Sequence, residues 1–138
     1  MRNKILAIAL IVLSPFIYYE LSFLFRIKVA FPIMQLFSYK SATLFAAISV
    51  SANVICAIIT AFVTALPCSY LLEIKLIYIK TLFLIAILCI PAFVFFTQSE
   101  YDFLTTADFI GQCFSVLISV YYFANIGYRA AKKNMIVG

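Results

Sequence analysis

Glu20 is the one acidic side chain set inside a long apolar run of this sequence. A carboxylate in hydrocarbon costs free energy, so an ionisable residue there is a functional candidate by default. Two kinds of chemistry suit it: a proton- or cation-linked step, or a contact with a partner subunit. The plainer expectation is that Glu20 reaches toward headgroups or pairs with Arg26 or Lys28. Little else in the chain could assist a reaction. Histidine is absent, which removes imidazole acid–base catalysis and histidine ligation of haem by this chain. No two carboxylates fall at one membrane depth, and the three glycines build no phosphate-cradling loop. Of the four cysteines, Cys56, Cys89 and Cys113 fall in apolar runs and Cys68 at the end of one, with no CxxC pair. Buried thiols of this kind behave as small hydrophobes. The expectation is a protein that is not an enzyme and needs neither metal nor cofactor.

The elements that carry these residues follow from composition. The chain has 138 residues, 67% of them hydrophobic and 11% charged, too apolar for a soluble domain of this size. Four runs, about Ile5–Phe25, Ser41–Leu66, Leu76–Phe96 and Phe109–Tyr128, reach the roughly 20 residues that a helix needs to cross a bilayer. They lack the alternating polarity of membrane strands, and backbone groups in lipid must be satisfied within the segment. The fold class expected is therefore an all-α integral membrane protein, a single four-helix transmembrane domain over residues 1–138. A basic start before an apolar core also fits a signal peptide. No A-x-A-like cleavage site follows, so the run is expected to remain as the first span.

Two runs carry a packing signature. Ala42, Ala46, Ser49, Asn53, Ala57, Ala61 and Ala65 recur at three- or four-residue steps, and Gly111, Ser115 and Ser119 step by four. Each set forms a narrow stripe down one helix face. Small residues let helix backbones approach closely in lipid, where hydrophobicity cannot drive association. The second and fourth spans are thus expected to pack together, within one chain or across a subunit interface, with Asn53 hydrogen-bonded across the seam. Gln112 and Asn125 add amides near the ends of the fourth span.

Charge placement sets orientation. Arg2, Lys4, Lys75, Lys80, Arg129, Lys132 and Lys133 fall on one side of a four-span arrangement, and Arg26, Lys28 and Lys40 on the other. The positive-inside rule then places both termini in the cytoplasm, as a multi-pass protein of the bacterial inner membrane. Arg26–Lys40 alternates cations with apolar residues and offers Pro32 as a helix start, which suits a short amphipathic segment lying on the membrane. Arg26, Lys28, Phe37 and Lys40 there, with Arg129, Lys132 and Lys133 near the C-terminus, are the expected contacts to lipid or a partner. Pro67 is expected to end the second span, Lys80 to snorkel to the cytoplasmic surface, and Asp108 to cap the fourth helix. No polybasic cluster suggests nucleic acid.

Four spans in a short chain with a carboxylate in the first resemble the small multidrug resistance transporters. That resemblance implies a proton-coupled transporter working through Glu20, although Glu20 lies nearer one end of its span and tryptophan is absent. A small oligomeric ion channel or a holin belongs to the same alternative. In size and topology the chain also resembles bacteriocin-immunity proteins and the membrane subunits of phage-defence or exclusion systems. That resemblance implies a non-catalytic protein acting through helix–helix contacts, with the bilayer and a homo-oligomer or partner membrane protein as its surroundings, and a cytoplasmic protein as a further partner. This is the function expected from the sequence.

Overall fold

The computed structural model describes residues 2–36, 41–72 and 74–137. All regular structure among them is helical, and four helices are long and apolar enough to cross a membrane. The first is a rod of 34 residues, Asn3–Leu36, about 51 Å at 1.5 Å per residue. It consists of α1 (Arg2–Phe25), one π-helical turn (Arg26–Ala30) and α2 (Phe31–Leu36). Pro15 lies within α1 and deprives the Ile11 carbonyl of its helical donor. The Ser14 hydroxyl fills that place, donating to Ile11 O at 2.8 Å.

The stretch after Phe25 departs from expectation. It continues the rod, with Phe25 and Phe31 both in helical conformation, instead of starting afresh at Pro32 as a separate interfacial segment. The physical reason is the π turn. A proline ring presses on the carbonyl four residues back, here Lys28. The widened turn, closed by the Phe31 N–H on Arg26 O, falls over that carbonyl and relieves the clash. Met34 is buried and Leu36 exposed. Phe37 and Lys40 lie outside the described residues.

The second rod runs 30 residues, Ala42–Leu71. Ser41 caps α3 (Ala42–Val63) through the Leu44 N–H, and α4 (Ala65–Leu71) follows a break at Thr64. Pro67 therefore does not end this span. The carbonyl it strips of a donor is that of Val63, so the ladder breaks just there. Pro67 itself sits in the first turn of α4, where its missing N–H is not needed. α5 (Leu76–Phe96) is the third rod, and α6 (Phe103–Val137) the fourth.

α6 begins earlier than the apolar run suggests. Asp102, not Asp108, is its cap: Asp102 Oδ1 accepts from the Thr105 N–H and hydroxyl, both at 2.7 Å, while the Asp102 N–H donates to Thr105 Oγ1 at 3.2 Å. These reciprocal bonds make a capping box. They hold the exposed Asp102 carboxyl below the usual carboxylate range, because they favour its charged form.

α6 packs along α3, α4 and α5, and α1 along α5, α3 and α4. The core is small where α3 and α4 meet α6: Ala57, Ala61, Ala65, Val116, Val120 and Ala124 are all buried. Gly127 on α6 lies so close to α4 that a Cβ there would run into the Leu66 carbonyl and the Ser69 hydroxyl. Large side chains point outward instead, among them Phe16, Phe93, Phe114 and Tyr122. Small residues inside and bulky ones outside suit helices packed in lipid.

Candidate functional site

Near the end of the helices away from the termini, three rods bring their polar groups together beside the end of α5. Phe95, at the end of α5, stacks on Phe109 of α6 with ring centroids 4.3 Å apart, which places Asp108 beside that end. Arg26, in the π turn, donates from Nη2 to Asp108 Oδ2 at 2.7 Å. Gln112, one turn further along α6, donates Nε2 to the same oxygen at 2.8 Å. From α3, Asn53 donates Nδ2 to Asp108 Oδ1 at 2.7 Å, and the Ser49 hydroxyl donates to that oxygen too. Arg26 Nη2 also reaches Asn53 Oδ1 at 3.4 Å. An ionised carboxylate offers about four acceptor positions. Asp108 has a donor for each, two to an oxygen.

Burial gives this cluster its weight. The side chain of Asp108 is 19% exposed and that of Arg26 42%, while Ser49, Asn53 and Gln112 are buried. An ion pair taken out of water gains Coulombic energy but loses hydration, so its net contribution is small; breaking it leaves a charge stranded. The arrangement therefore fixes how α1, α3 and α6 sit against one another more than it adds stability. Beneath it, Tyr18, Ser22 and Arg26 follow at four-residue steps on one face of the first rod. Tyr18 Oη, Ser22 Oγ and Arg26 Nε are buried without a hydrogen-bond partner among the described residues.

The other residues singled out by sequence fall in several places. Of the two stripes, Ser49, Asn53, Ala57, Ala61, Ser115 and Ser119 are buried within this one chain, and Ala46 and Gly111 are half-buried. A Cβ on Gly111 would come within 2.9 Å of Val50 Cγ2 on α3. The stripes thus line the α3–α6 seam. Glu20 is exposed on the flank of α1, and it makes no ion pair among the described residues. Arg26 pairs with Asp108 instead, six residues or about 9 Å further along the axis. Lys28, Arg129, Lys132 and Lys133 are exposed. Lys80 places its ammonium 3.6 Å over the ring of Tyr121 rather than extending away.

Sequence reasoning named Arg26, Asn53 and Asp108 separately and missed that they form one site. The available signal was a pair of polar steps of four, Ser49/Asn53 and Asp108/Gln112, on two helices already expected to pack. No known protein family, curated protein or solved structure matches this chain.

Proposed function

We propose that this chain is a non-catalytic, multi-pass protein of the bacterial inner membrane, a four-helix bundle with both termini cytoplasmic. It acts through contacts between its lipid-facing surface and another membrane-embedded protein, in the manner of bacteriocin-immunity or phage-exclusion membrane subunits. The supporting observation is Glu20. Its carboxylate stands exposed on the flank of a helix long and apolar enough to cross the bilayer. A charge inside hydrocarbon costs free energy, about 2.5–3.5 kcal/mol at a helix centre and less toward the end of the span where Glu20 lies. A partner helix bearing a cation or a hydroxyl at matching depth offsets that cost and selects for the right partner. The small stripes are used up inside the chain, so the contact surface is the α1 flank around Phe16, Glu20, Phe23 and Leu24, all exposed.

The test is photo-crosslinking in membranes from positions 16 and 23, with and without Glu20→Leu. A discrete adduct that disappears on substitution supports the reading, and its mass separates a second copy from a different protein. The same adducts with leucine at position 20 would sink it. Liposomes holding wild type or Glu20→Gln provide the opposing arm: proton or cation flux that depends on Glu20 would establish the small channel or transporter alternative instead.

A further inference from the structure

The end that holds both termini carries two adjoining hollows. The larger, about 860 Å³, lies between α4, the turn before α5, and α6, with Asn3 of α1 at its margin. The smaller, about 500 Å³, lies between the start of α5 and α6. Tyr128 and Lys132 line both, so the two hollows lie side by side and share these walls as one basic groove region. Its chemistry is divided. Leu71, Leu72, Ile74 and Leu76 supply apolar wall, while Lys75, Arg129, Lys132 and Lys133 supply positive charge. No acidic residue lines either hollow among the described residues, which do not include Glu73. The three α6 cations make no ion pair among the described residues. The Tyr70 hydroxyl accepts from Asn134 Nδ2 at 3.0 Å, which leaves its own proton free to donate.

Depth identifies the ligand class. α5 has 21 residues, about 31 Å, which matches the hydrocarbon thickness. A hydrocarbon layer crossed by α5 would begin at Leu76, with Lys75 and the cations of α6 beside it at headgroup level. Basic hollows between spanning helices at that level suit anionic lipid headgroups.

We infer that this groove is a binding site for an anionic phospholipid, its phosphate held by Lys132, Arg129 and the Tyr70 hydroxyl, and its glycerol and acyl portion against the apolar wall. A free phosphate would use the same cations but gain nothing from Leu71, Leu72 and Ile74. The inference is independent of Glu20 and of any protein partner.

The test is native mass spectrometry of the full chain exchanged into phosphatidylcholine micelles or bilayers with and without phosphatidylglycerol. Wild type retains phosphatidylglycerol in preference to phosphatidylcholine. Lys132→Gln lowers that retention about fivefold and Arg129→Gln with it lowers it further, as expected for basic residues at an anionic surface. Lys132→Arg keeps it, which separates lost charge from a disturbed fold. Equal retention of the two lipids, or no effect of removing both cations, would overturn the site. Displacement of the lipid by inorganic phosphate would equally overturn it, in favour of a soluble phosphate ligand.

Discussion

Asp108 and Glu20 are the same functional group on side chains one methylene apart, and both sit on membrane-length helices. Their surroundings are opposite. Asp108 is met by donors from three helices, Arg26, Ser49, Asn53 and its own neighbour Gln112. Glu20, about 9 Å from Arg26 along the first rod, has no ion-pair partner among the described residues and faces outward. The cost of holding a carboxylate away from water is offset internally in one case and left standing in the other. A completed pair tells how the chain holds itself together. An uncompensated one points to something outside the chain.

That contrast can be broken most readily at Arg26. Arg26→Leu strands the Asp108 charge, and removing one partner of a buried pair costs roughly 3–5 kcal/mol. Because Arg26 is partly exposed, we expect about 3 kcal/mol, read as a lowered unfolding midpoint in mild detergent. Arg26→Leu with Asp108→Leu should recover most of that loss. A double variant no more stable than the single would mean the two residues are not coupled. A smaller effect follows at Asn53→Leu, which removes one donor from Asp108 but keeps the ion pair. About 1 kcal/mol is expected, within the range of interhelical hydrogen bonds in membranes.

Asp102→Ala sharpens the comparison from a third carboxylate, one in water. It should fray the first turn of α6, seen as faster amide exchange at Thr105 and Thr106. Since capping lowers the folded-state pKa of Asp102, its contribution is present above the ordinary carboxylate value and lost as pH falls through the lower folded one. Wild type and variant should therefore converge in exchange on acidification and differ at neutral pH. Glu20→Leu should give the smallest change of all in the isolated protein, no destabilisation or a slight gain. A clear loss of stability there would show that Glu20 has an intramolecular partner after all, and the contrast with Asp108 would vanish.

The four spans were legible because a helix of bilayer length that is apolar on every side finds its natural solvent in hydrocarbon. Two boundaries were not, and proline is the reason in both. Pro32 and Pro67 read as a helix start and a helix stop. In the folded chain the π turn at Arg26–Ala30 and the break at Thr64 take up the strain, and the rods run on. Asp108 was misread for a related reason: once α6 was taken to start at the apolar run, an acid just before it looked like a cap. The true cap, Asp102 with Thr105, was written in the sequence at the spacing of a capping box. The ion pair was harder. Whether Ser49 and Asn53 stand opposite Asp108 and Gln112 depends on the register of the parallel α3 and α6, and no local pattern carries that. Only the polar steps within the two stripes hinted at it.

The unequal lengths of the rods have a consequence for which side of the bilayer can sense the molecule. At about 31 Å α5 matches the hydrocarbon thickness, whereas the first rod and α6, at about 51 and 52 Å, exceed it by some 20 Å each. That excess is taken up by tilt or by turns of helix standing beyond the hydrocarbon. Whatever stands beyond the hydrocarbon is fixed in azimuth by the buried seam, a stiff surface that a water-soluble protein could grip without ever entering the lipid.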